Sequence, residues 1–541
     1  MRTLLLSIIY LATCVLTAQQ TYTTALLPDE YWWGGLSADG RLMPYSHDSQ
    51  LQRDQYANNA GNQAQPLLLS NRGRYVWSEQ PLQYTFTGDS LRVAIRQGEL
   101  ITGSEGESLS KVFAYVSDRF FPPTGELPDS LLFTRPQYNT WIELVYDQEQ
   151  EAILEYARAI IDRGYPPGVL MIDDNWQEDY GDWRFSGTRF SDPKMMMDSL
   201  HVMGFKVMLW VCPFVSPDSD EYRYLADEGL LVLDSTRVTR SGEDRWTDTR
   251  NTAAMIRWWN GVSAVLDLSN PEAQQWFGDR LEALVKEYGV DGFKLDAGDA
   301  EFYQGPLLGR NVDIPNDQTT YFSEVGLRYP LNEYRASWKM AGQPLVQRLQ
   351  DKNHNWADLR SLIPGILAQG LMGYAYTCPD MIGGGQYLSF LGDAEIDQEL
   401  IVRSAQVHAL MPMMQFSVAP WRVLAEGYER MCQQMAVLHE EYGPRIMEIA
   451  HAAAETGEPI ARPLDYNYPG EGYGNIVDQF MLGRDLLVAP VVEKGQRSRK
   501  IIFPAGRWRG DDGSVVEGPT VQTIDVPLHR LPYYERLSGV E

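Results

Sequence analysis

Between about residues 24 and 121 the sequence alternates short apolar runs with turn residues. Two examples are QYTFTGDSLRVAIRQGELITG and KVFAYVSDRF. Short strands separated by Gly, Asp and Ser are typical of antiparallel sheets. The pattern therefore predicts an N-terminal β-sandwich over residues 19–134, and the segment FFPPTGELPDS near its end predicts a linker.

From residue 135 the pattern changes to buried apolar runs followed by helical segments. The apolar runs are TWIELVY, VLMIDDNW, KVMLWVCPF, AVLDL and GFKLDAG, and the helical segments are QEAILEYARAIIDRG, PKMMMDSLHVMG and PEAQQWFGDRLEALVKEYG. Repeated strand and helix units predict a parallel sheet covered by helices. We therefore predict an α/β domain, a (β/α)8 TIM barrel, over residues 135–455. A doubly wound sheet is the alternative, but no G-x-G-x-x-G turn follows any of these runs.

The helical pattern fades near residue 456. Beyond it, DLLVAPVV, SRKIIFPAG, TVQTIDVP and LPYYER have the composition of strands. Residues 456–541 are therefore expected to form a C-terminal β-sandwich domain.

The first 18 residues have a basic start at Arg2, an apolar run and a small residue at Ala18. This pattern predicts a signal peptide over residues 1–18 and a secreted or periplasmic protein, and the run is too short to span a bilayer. A lipoprotein anchor at Cys14 is the alternative, although Thr13 before it is a poor fit to a lipidation site.

Charge and cysteine content exclude several classes of protein. With 46 Lys and Arg against 73 Asp and Glu the net charge is −27, which argues against nucleic acid as a partner. No other segment is apolar enough for a membrane span. The aromatic content of 11% suits stacking on ligand rings as well as core packing. After the predicted cleavage an odd number of cysteines remains, which predicts buried thiols instead of a disulfide framework: Cys212, Cys378 and Cys432.

Carboxylates follow the apolar runs at their carboxyl ends, as at Asp173 and Asp296. In a TIM barrel these ends form the face on which active sites are built. An Asp after a strand also serves as a helix cap, but a second carboxylate, Asp299, crowds around Asp296 in GFKLDAGD. Cleavage of a glycosidic bond with retention needs two such carboxyl groups about 5 to 5.5 Å apart.

GFKLDAGD resembles the nucleophile motif of glycoside hydrolase family 31, in which F-K-x-D-x-G-[DE] ends a strand. The likeness runs from about residue 134 to the C-terminus and implies that Asp296 is the nucleophile. VLMIDDNW resembles the family's D-x-x-W element, which implies that Asp173 binds sugar hydroxyls with Trp176 as its aromatic companion. Asp174 is the alternative to Asp173.

LNEYRASWKMAGQPLVQRLQDKNHNW resembles the family's R-S-A stretch, where the acid/base Asp follows the Arg by sixteen residues. Arg335 and Asp351 take those places. The sequence departs from the family here, because the usual W-x-G-D is Arg348-Leu349-Gln350-Asp351. GYAYTCPDMIGGG resembles a later loop that places Asp380 at the edge of the site, as a hydroxyl ligand, a loop anchor or the rival for the acid role.

RPQYNTWIEL, RWWNGVSAVLDL and MPMMQFSVAPWR resemble a group within the family that favours α-galactosides. Ser417 stands where many α-glucosidases of the family carry a sugar-binding His, which implies a changed sugar. Trp210 and one of Trp258 or Trp259 are candidates for the floor and wall of the sugar pocket. The resemblance also implies that Arg335 holds ring hydroxyls and the nucleophile's charge, and that Lys294 keeps Asp296 ionised by proximity.

These residues together predict a retaining exo-α-glycosidase that acts on terminal α-galactosides through a double displacement. Its partner is a glycoside or oligosaccharide, and it needs no metal or organic cofactor because side chains supply the acid, base and nucleophile. An α-glucosidase or α-xylosidase with the same two Asp is the alternative among enzymes. A sugar-binding protein without catalysis is the alternative of another class, and two closely spaced acids, whose repulsion is costly, argue against it.

Overall fold

The computed structural model describes residues 20–238, 252–392 and 394–537. The predicted signal peptide, with Cys14 and Ala18, lies outside the described residues. Within the described ranges no helix is both long and apolar enough to cross a membrane.

The N-terminal part contributes two sheets of antiparallel strands, as the alternating pattern predicts, and a fifth strand, Ser337–Trp338, joins the second sheet by parallel pairing with Gln63–Ser70. The apolar side chains of both sheets are buried against each other and against the rest of the molecule. In sheet order, the strands of the first are Gln20–Ala25, Ser90–Ile95, Gln83–Thr87 and Gln50–Asp54, and those of the second are Trp32–Leu36, Gln63–Ser70, Arg74–Ser78 and Leu100–Ser104.

The segment KVFAYVSDRF is helical, so the expectation of a strand there is wrong. It lies within the helix Leu109–Phe120. Leu109, Val112, Phe113 and Val116 are its buried apolar residues, and this spacing of three and four places them on one face of a helix. A strand would have buried every second residue instead.

Eight parallel strands form the predicted barrel, which is closed except between its seventh and eighth strands. Each strand pairs with its neighbours in chain order, and the eighth pairs with the first. Their carboxyl ends therefore meet at one face. In chain order the strands are Gln137–Asn139, Val169–Ile172, Lys206–Val211, Gly292–Leu295, Leu331–Tyr334, Gln347–Arg348, Thr377–Cys378 and Gln415–Phe416.

Two apolar runs do not form the barrel strands expected of them. The first barrel strand is Gln137–Asn139, and the run TWIELVY after it contains the helix Trp141–Leu144. AVLDL lies partly in Gly261–Val265, which pairs antiparallel with Phe214–Val215 and Ile256–Trp258. Apolar content alone does not distinguish a barrel strand from a buried segment above the barrel.

Helices lie between and beyond the barrel strands in the chain, and each contributes buried apolar residues to the main core. Pro271–Tyr288 shows clear end signals: the Asn270 side chain accepts a hydrogen bond from Glu272 N, and Gly289 ends the helix with a left-handed φ of 81°. The other helices of eight residues or more are Gln150–Asp162, Pro193–Val202, Asp220–Asp227, Asn316–Val325, Trp356–Leu371, Gln398–Ala409 and Glu426–Thr456.

Six strands form one antiparallel C-terminal sheet, which includes all four of the predicted strand segments. Some of its apolar side chains pack around Trp508 and Tyr534 in a separate cluster, and others, such as Phe480 and Leu486, belong to the main core. In sheet order the strands are Ala461–Arg462, Phe480–Leu482, Leu486–Val488, Tyr533–Leu537, Ser498–Gly510 and Val515–Asp525.

The N-terminal sheets are joined to the barrel by hydrogen bonds between buried groups. The Asn62 side-chain amide donates to the main-chain oxygens of Arg335, at 2.7 Å, and Arg348, at 3.1 Å. The Gln63 amide donates to the same two oxygens at 2.7 and 2.9 Å. Two N-terminal side chains thus fix the main chain at two barrel positions that carry arginines of the site described below.

Candidate active site

A cavity of about 490 Å³ opens at the carboxyl ends of the barrel strands. Its polar groups come from several strand ends and its aromatic groups mostly from the loops above them. The lining residues are Trp141, Tyr146, Asp173, Asp174, Trp210, Trp259, Lys294, Asp296, Arg335, Arg348, Gln350, Asp351, Met381, Gln386 and Tyr387.

Asp296 follows the strand Gly292–Leu295 and points its carboxylate into this cavity. Its Oδ1 accepts hydrogen bonds from Arg335 Nε and Ala297 N, both at 2.9 Å, and its Oδ2 accepts one from Trp210 Nε1 at 2.9 Å. Burial alone would raise the pKa of Asp296, but the charges of Arg335 and Lys294 outweigh it and hold the pKa well below its ordinary range. The carboxylate is therefore both ionised and fixed in direction.

Arg335 is held on three sides, so its guanidinium keeps one position beside Asp296. Its Nη2 donates to Asp299 Oδ2 at 2.6 Å, and its Nη1 donates to the main-chain oxygen of Gly61 at 3.0 Å. The guanidinium carbon lies 5.0 Å from the ring centroid of Trp259, within reach of a cation–π contact. Trp259, 47% exposed, forms a wall of the cavity.

Asp173 and Asp174 lie side by side after the second barrel strand, and both are buried. Asp173 Oδ2 accepts a hydrogen bond from Lys294 Nζ at 2.6 Å, and its Oδ1 accepts one from Asp174 N at 2.9 Å. Lys294 is thus paired with Asp173 and influences Asp296 only through its field. The sequence predicts that Lys294 affects Asp296, but it does not predict that Asp173 is the direct partner of Lys294.

The Asp174 carboxylate is oriented by two neighbours from the loops. Its Oδ1 accepts a hydrogen bond from the Tyr180 hydroxyl at 3.1 Å, and its Oδ2 accepts one from Asn260 Nδ2 at 2.5 Å. Burial, with the negative charge of Asp173 next to it, raises the pKa of Asp174 to about 7. Near neutral pH such a carboxyl can accept a hydrogen bond from a ligand hydroxyl when it is ionised and donate one when it is protonated.

Asp351 also lines the cavity, three residues after Arg348. Its side chain is 30% exposed, and its Oδ1 accepts a hydrogen bond from Arg348 Nη1 at 2.8 Å. Burial by itself would raise the pKa of this carboxyl. The positive charges of Arg348 and Lys294 outweigh burial, so the pKa lies below its ordinary value. Asp351 and Asp296 therefore face the same cavity from different strands.

Asp380 is fully buried and is not among the lining residues. Its Oδ1 accepts from Arg348 Nη1 at 2.7 Å, and its Oδ2 accepts from Lys352 N at 2.7 Å and Gly385 N at 3.2 Å. Burial is the largest influence on its carboxyl and raises the pKa to about 7. These bonds give Asp380 the position of a loop anchor behind Asp351, where it does not reach a ligand in the cavity.

Two family models match the chain. The glycosyl hydrolases family 31 TIM-barrel domain matches residues 136–423, and the glycosyl hydrolase family 31 C-terminal domain matches residues 457–539. The chain belongs to glycoside hydrolase family 31.

Relatives and solved structures agree with this family. The chain is 32% identical to the myogenesis-regulating glycosidase of Mus musculus over 433 residues, which are 78% of this chain and 59% of that protein. It is 30% identical to a 1,3-α-isomaltosidase of Kribbella flavida over 378 residues, 64% of this chain and 50% of that protein. The structure of a family 31 dextranase of Flavobacterium johnsoniae complexed with glucose matches with a TM-score of 0.81 at 20% identity, covering 96% of this chain and 66% of that one. The chain thus spans about half to three fifths of the length of these two curated relatives.

Most of the site residues expected from the sequence meet in the cavity, but three do not. Trp176 is buried behind it, and its Nε1 donates to the main-chain oxygen of Trp210 at 2.7 Å. Ser417 is also fully buried, and its hydroxyl accepts a hydrogen bond from Ile142 N at 2.8 Å. With Asp380, these residues lie behind the lining and position it. Of the two tryptophan candidates, Trp259 lines the cavity and Trp258 is buried against Phe214.

Several lining residues were not expected from the sequence. Trp141, Tyr146 and Tyr387 form an aromatic cluster, with ring centroids 5.2 to 6.3 Å apart. Trp141 and Tyr146 lie in and just after the helix Trp141–Leu144, whereas Tyr387 lies more than 200 residues away, so no local pattern marks the cluster. Arg348 carried a signal, since a charged residue in place of the family's Trp is unusual in a buried strand. Gln350, Met381 and Gln386 carried none.

The described residues contain no group of three or more His, Cys, Asp or Glu side chains that could hold a metal ion. The three cysteines are free thiols in buried positions. The groups with acid, base or nucleophilic chemistry in the cavity are its carboxylates.

Proposed function

We propose that the protein is a secreted, retaining exo-α-glycosidase that hydrolyses terminal α-galactosides. The observation that carries this proposal is the placement of the carboxyl groups of Asp296 and Asp351 on one cavity, each with its own hydrogen-bond partners. Asp296 is bound by three donors and held ionised, while Asp351 is the more exposed of the two. Secretion rests on the signal-like sequence of residues 1–18.

The first chemical step is a displacement at the anomeric carbon. An Asp296 oxygen attacks this carbon from the β side while the α-glycosidic C–O bond breaks. Asp351 in its protonated form gives its proton to the departing oxygen, and a β-linked glycosyl ester forms on Asp296. Trp210 and Arg335 keep the attacking carboxylate in line by their hydrogen bonds to it.

The second step returns the enzyme to its starting state. A water molecule gives its proton to Asp351, now a carboxylate, and its oxygen attacks the anomeric carbon as the ester C–O bond breaks. Asp296 leaves as a carboxylate and Asp351 is again protonated. Two inversions give a product with the α configuration of the substrate.

The preference for galactose rests on the polar end of the cavity and on the resemblance in LMIDDNW and RWWNGVSAVLDL. The oriented carboxylates of Asp173 and Asp174 would accept hydrogen bonds from hydroxyls, including an axial 4-hydroxyl, while Trp259 covers the ring. An epimer leaves such buried groups unpaired, and this loss can reach roughly 10⁴-fold in discrimination. Relatives named as an α-glucosidase and an α-xylosidase support the second candidate, glucose or xylose with the same two Asp.

A panel of aryl α-glycosides tests the sugar. We expect kcat/KM for the α-galactoside to exceed that for the α-glucoside and the α-xyloside by about 100-fold or more, which is roughly 2.7 kcal/mol of transition-state preference. Equal rates, or a preference for glucose or xylose, remove the galactosidase assignment and leave the two catalytic Asp in place.

Turnover and stereochemistry test the class of protein. NMR spectra of the first-formed product should show the α anomer before mutarotation. A β anomer contradicts the double displacement. Binding of sugars by calorimetry without turnover of any glycoside in the panel would identify a sugar-binding protein instead.

A further inference from the structure

Arg348 contacts both Asp351 and Asp380 through a single nitrogen. Its Nη1 donates to Asp351 Oδ1 at 2.8 Å and to Asp380 Oδ1 at 2.7 Å. On its other side, its Nε lies 3.3 Å from Glu333 Oε1, and the side chain is almost fully buried. The guanidinium is thus fixed by three carboxyl groups, of which only Asp351 lines the cavity.

We propose that Arg348 and Asp380 are positioning residues that set the protonation of Asp351 in opposite directions. Arg348 aims the Asp351 carboxyl and favours its ionised form, and Asp380, bound to the same nitrogen, favours its protonated form. The proposal rests on the proposed function, because it concerns the group assigned there as the acid and base.

The geometry gives each residue its direction of action. A positive charge within hydrogen-bonding distance stabilises a carboxylate, and a nearby negative charge destabilises it. Arg348 Nη1, which donates to Asp351, also donates to Asp380. Asp380 in turn accepts hydrogen bonds from the main-chain N–H groups of Lys352 and Gly385. Asp380 therefore cannot turn away from Arg348 without releasing the loop that carries Asp351.

Other charges facing Asp351 do not replace this pair. Lys294 and Arg335 favour its ionised form, and the ionised Asp296 favours its protonated form. Each of these three is committed to another contact: Lys294 to Asp173, and Arg335 and Asp296 to each other. Arg348 is the cation in direct contact with the Asp351 carboxyl in the described structure.

The sequence supports a specific role for this arginine. The family pattern W-x-G-D places Trp three residues before the acid/base, whereas this chain has Arg348. An indole donates one hydrogen bond and carries no charge, so the exchange adds a permanent positive charge beside the acid. An acid held partly ionised loses activity at a lower pH than one without such a neighbour, and a base held ionised is ready for the second step.

The pH profile of kcat/KM tests the proposal, with an alkyl α-glycoside whose poor leaving group requires protonation. We expect Arg348→Gln to shift the alkaline limb of this profile to higher pH by about one unit or more. We expect Asp380→Asn to shift it to lower pH by about half a unit or more. Arg348→Lys keeps the positive charge but loses the rigid set of hydrogen-bond donors of the guanidinium. The alkaline limb of this variant should therefore stay near that of the wild type, while kcat falls.

Arg403→Gln is the matched control, because Arg403 is a fully buried arginine whose contacts are Gln406 and main-chain oxygens near the C-terminal sheet. Its removal should lower thermal stability and leave the alkaline limb unmoved. Asp380→Asn keeps the size of the side chain and removes its charge, but its amide oxygen can no longer accept from both Arg348 and the main-chain N–H groups. It tests the proposal even if Arg348→Gln does not fold. The proposal is overturned if both variants move the limb in the same direction or neither moves it. An inactive wild type, or an active Asp296→Ala variant, would instead remove the proposed function.

Discussion

Lys294 Nζ lies 2.6 Å from Asp173 Oδ2, so the buried lysine of the site is paired with a sugar-binding candidate and not with the nucleophile. Burial by itself would lower the pKa of Lys294, but Asp173 outweighs it and raises the pKa. The ion pair is almost completely buried on both sides. Each of the two buried charges therefore has its counter-ion in the other residue.

Removal of one partner should be costly to stability. We expect Lys294→Met to lower the free energy of unfolding by about 3–5 kcal/mol, because it leaves Asp173 charged and unpaired in a buried place. Urea unfolding measures this. The double variant Lys294→Met with Asp173→Asn should recover most of the loss. Lys206→Met, which breaks a more exposed pair with Asp129, should cost about 1 kcal/mol or less, and an equal cost at both lysines would contradict the prediction.

Asp296→Ala should abolish turnover without loss of the fold, because the carboxylate forms the covalent bond. We expect kcat to fall by about 10⁴-fold or more. A fluorinated glycosyl fluoride that traps the intermediate should add one sugar to the peptide containing Asp296 in the wild type, as measured by mass spectrometry. Asp299→Asn, a neighbour that contacts Arg335 from behind, should lose much less activity. Retention of activity by Asp296→Ala would assign the nucleophile elsewhere.

Asp351→Ala should be selective for the leaving group. Alkyl glycosides need protonation of the departing oxygen and aryl glycosides with acidic phenols do not, so we expect the former to lose at least about 10-fold more in kcat/KM. Added azide should partly restore the aryl reaction and yield an α-glycosyl azide. Asp380→Ala should yield no azide product, because Asp351 is still present as the base, and its loss on alkyl glycosides should be smaller than that of Asp351→Ala. The reverse result would move the acid/base role to Asp380.

The buried pair His408 and His439 should make the protein less stable in acid. Burial is the main cause that lowers the pKa of His408 to about 3 and that of His439 to about 4. Both are therefore neutral in the folded protein, whereas in the unfolded chain they bind protons below about pH 6.5. The unfolded state thus binds more protons between about pH 6.5 and 4, and stability falls as the pH falls through that range.

His408→Gln should reduce this loss, since it removes a group that gains a proton only on unfolding. The measurement is the drop in Tm between pH 7 and pH 5, which should be smaller in the variant than in the wild type. His451→Gln, at an exposed position, serves as the control and should leave the drop unchanged. A drop of the same size in all three proteins would show that other groups govern the acid limit.

The sequence predicts those parts of the fold that are written in local patterns. The strands Val169–Ile172 and Gly292–Leu295 are apolar and are followed by charged residues, so both the strands and Asp296 at the end of one of them could be found. The strand Gln137–Asn139 is polar, and three other barrel strands have only two residues, too few for any periodicity. These strands are specified by pairing with distant neighbours.

The direction in which a side chain points is the second property that the sequence does not predict. Ser417 and Asp380 lie near the site in sequence motifs, but whether a hydroxyl or carboxyl reaches the cavity depends on the main-chain N–H groups that it accepts from. The partner of Lys294 is decided in the same way, by the distance between two strand ends. These side-chain directions and pairings are determined by tertiary contacts between residues far apart in the chain.

Asn62 and Gln63 bind the main-chain oxygens of Arg335 and Arg348, the two arginines that contact Asp296 and Asp351. A barrel separated from the N-terminal sheets would expose these oxygens to solvent. Both arginines would then lose the hydrogen bonds that fix their main chain. The barrel is therefore not a module that can be transplanted by itself. Any exchange of parts between family members, in the laboratory or in evolution, has to move residues 61–63 together with the strands whose arginines they hold.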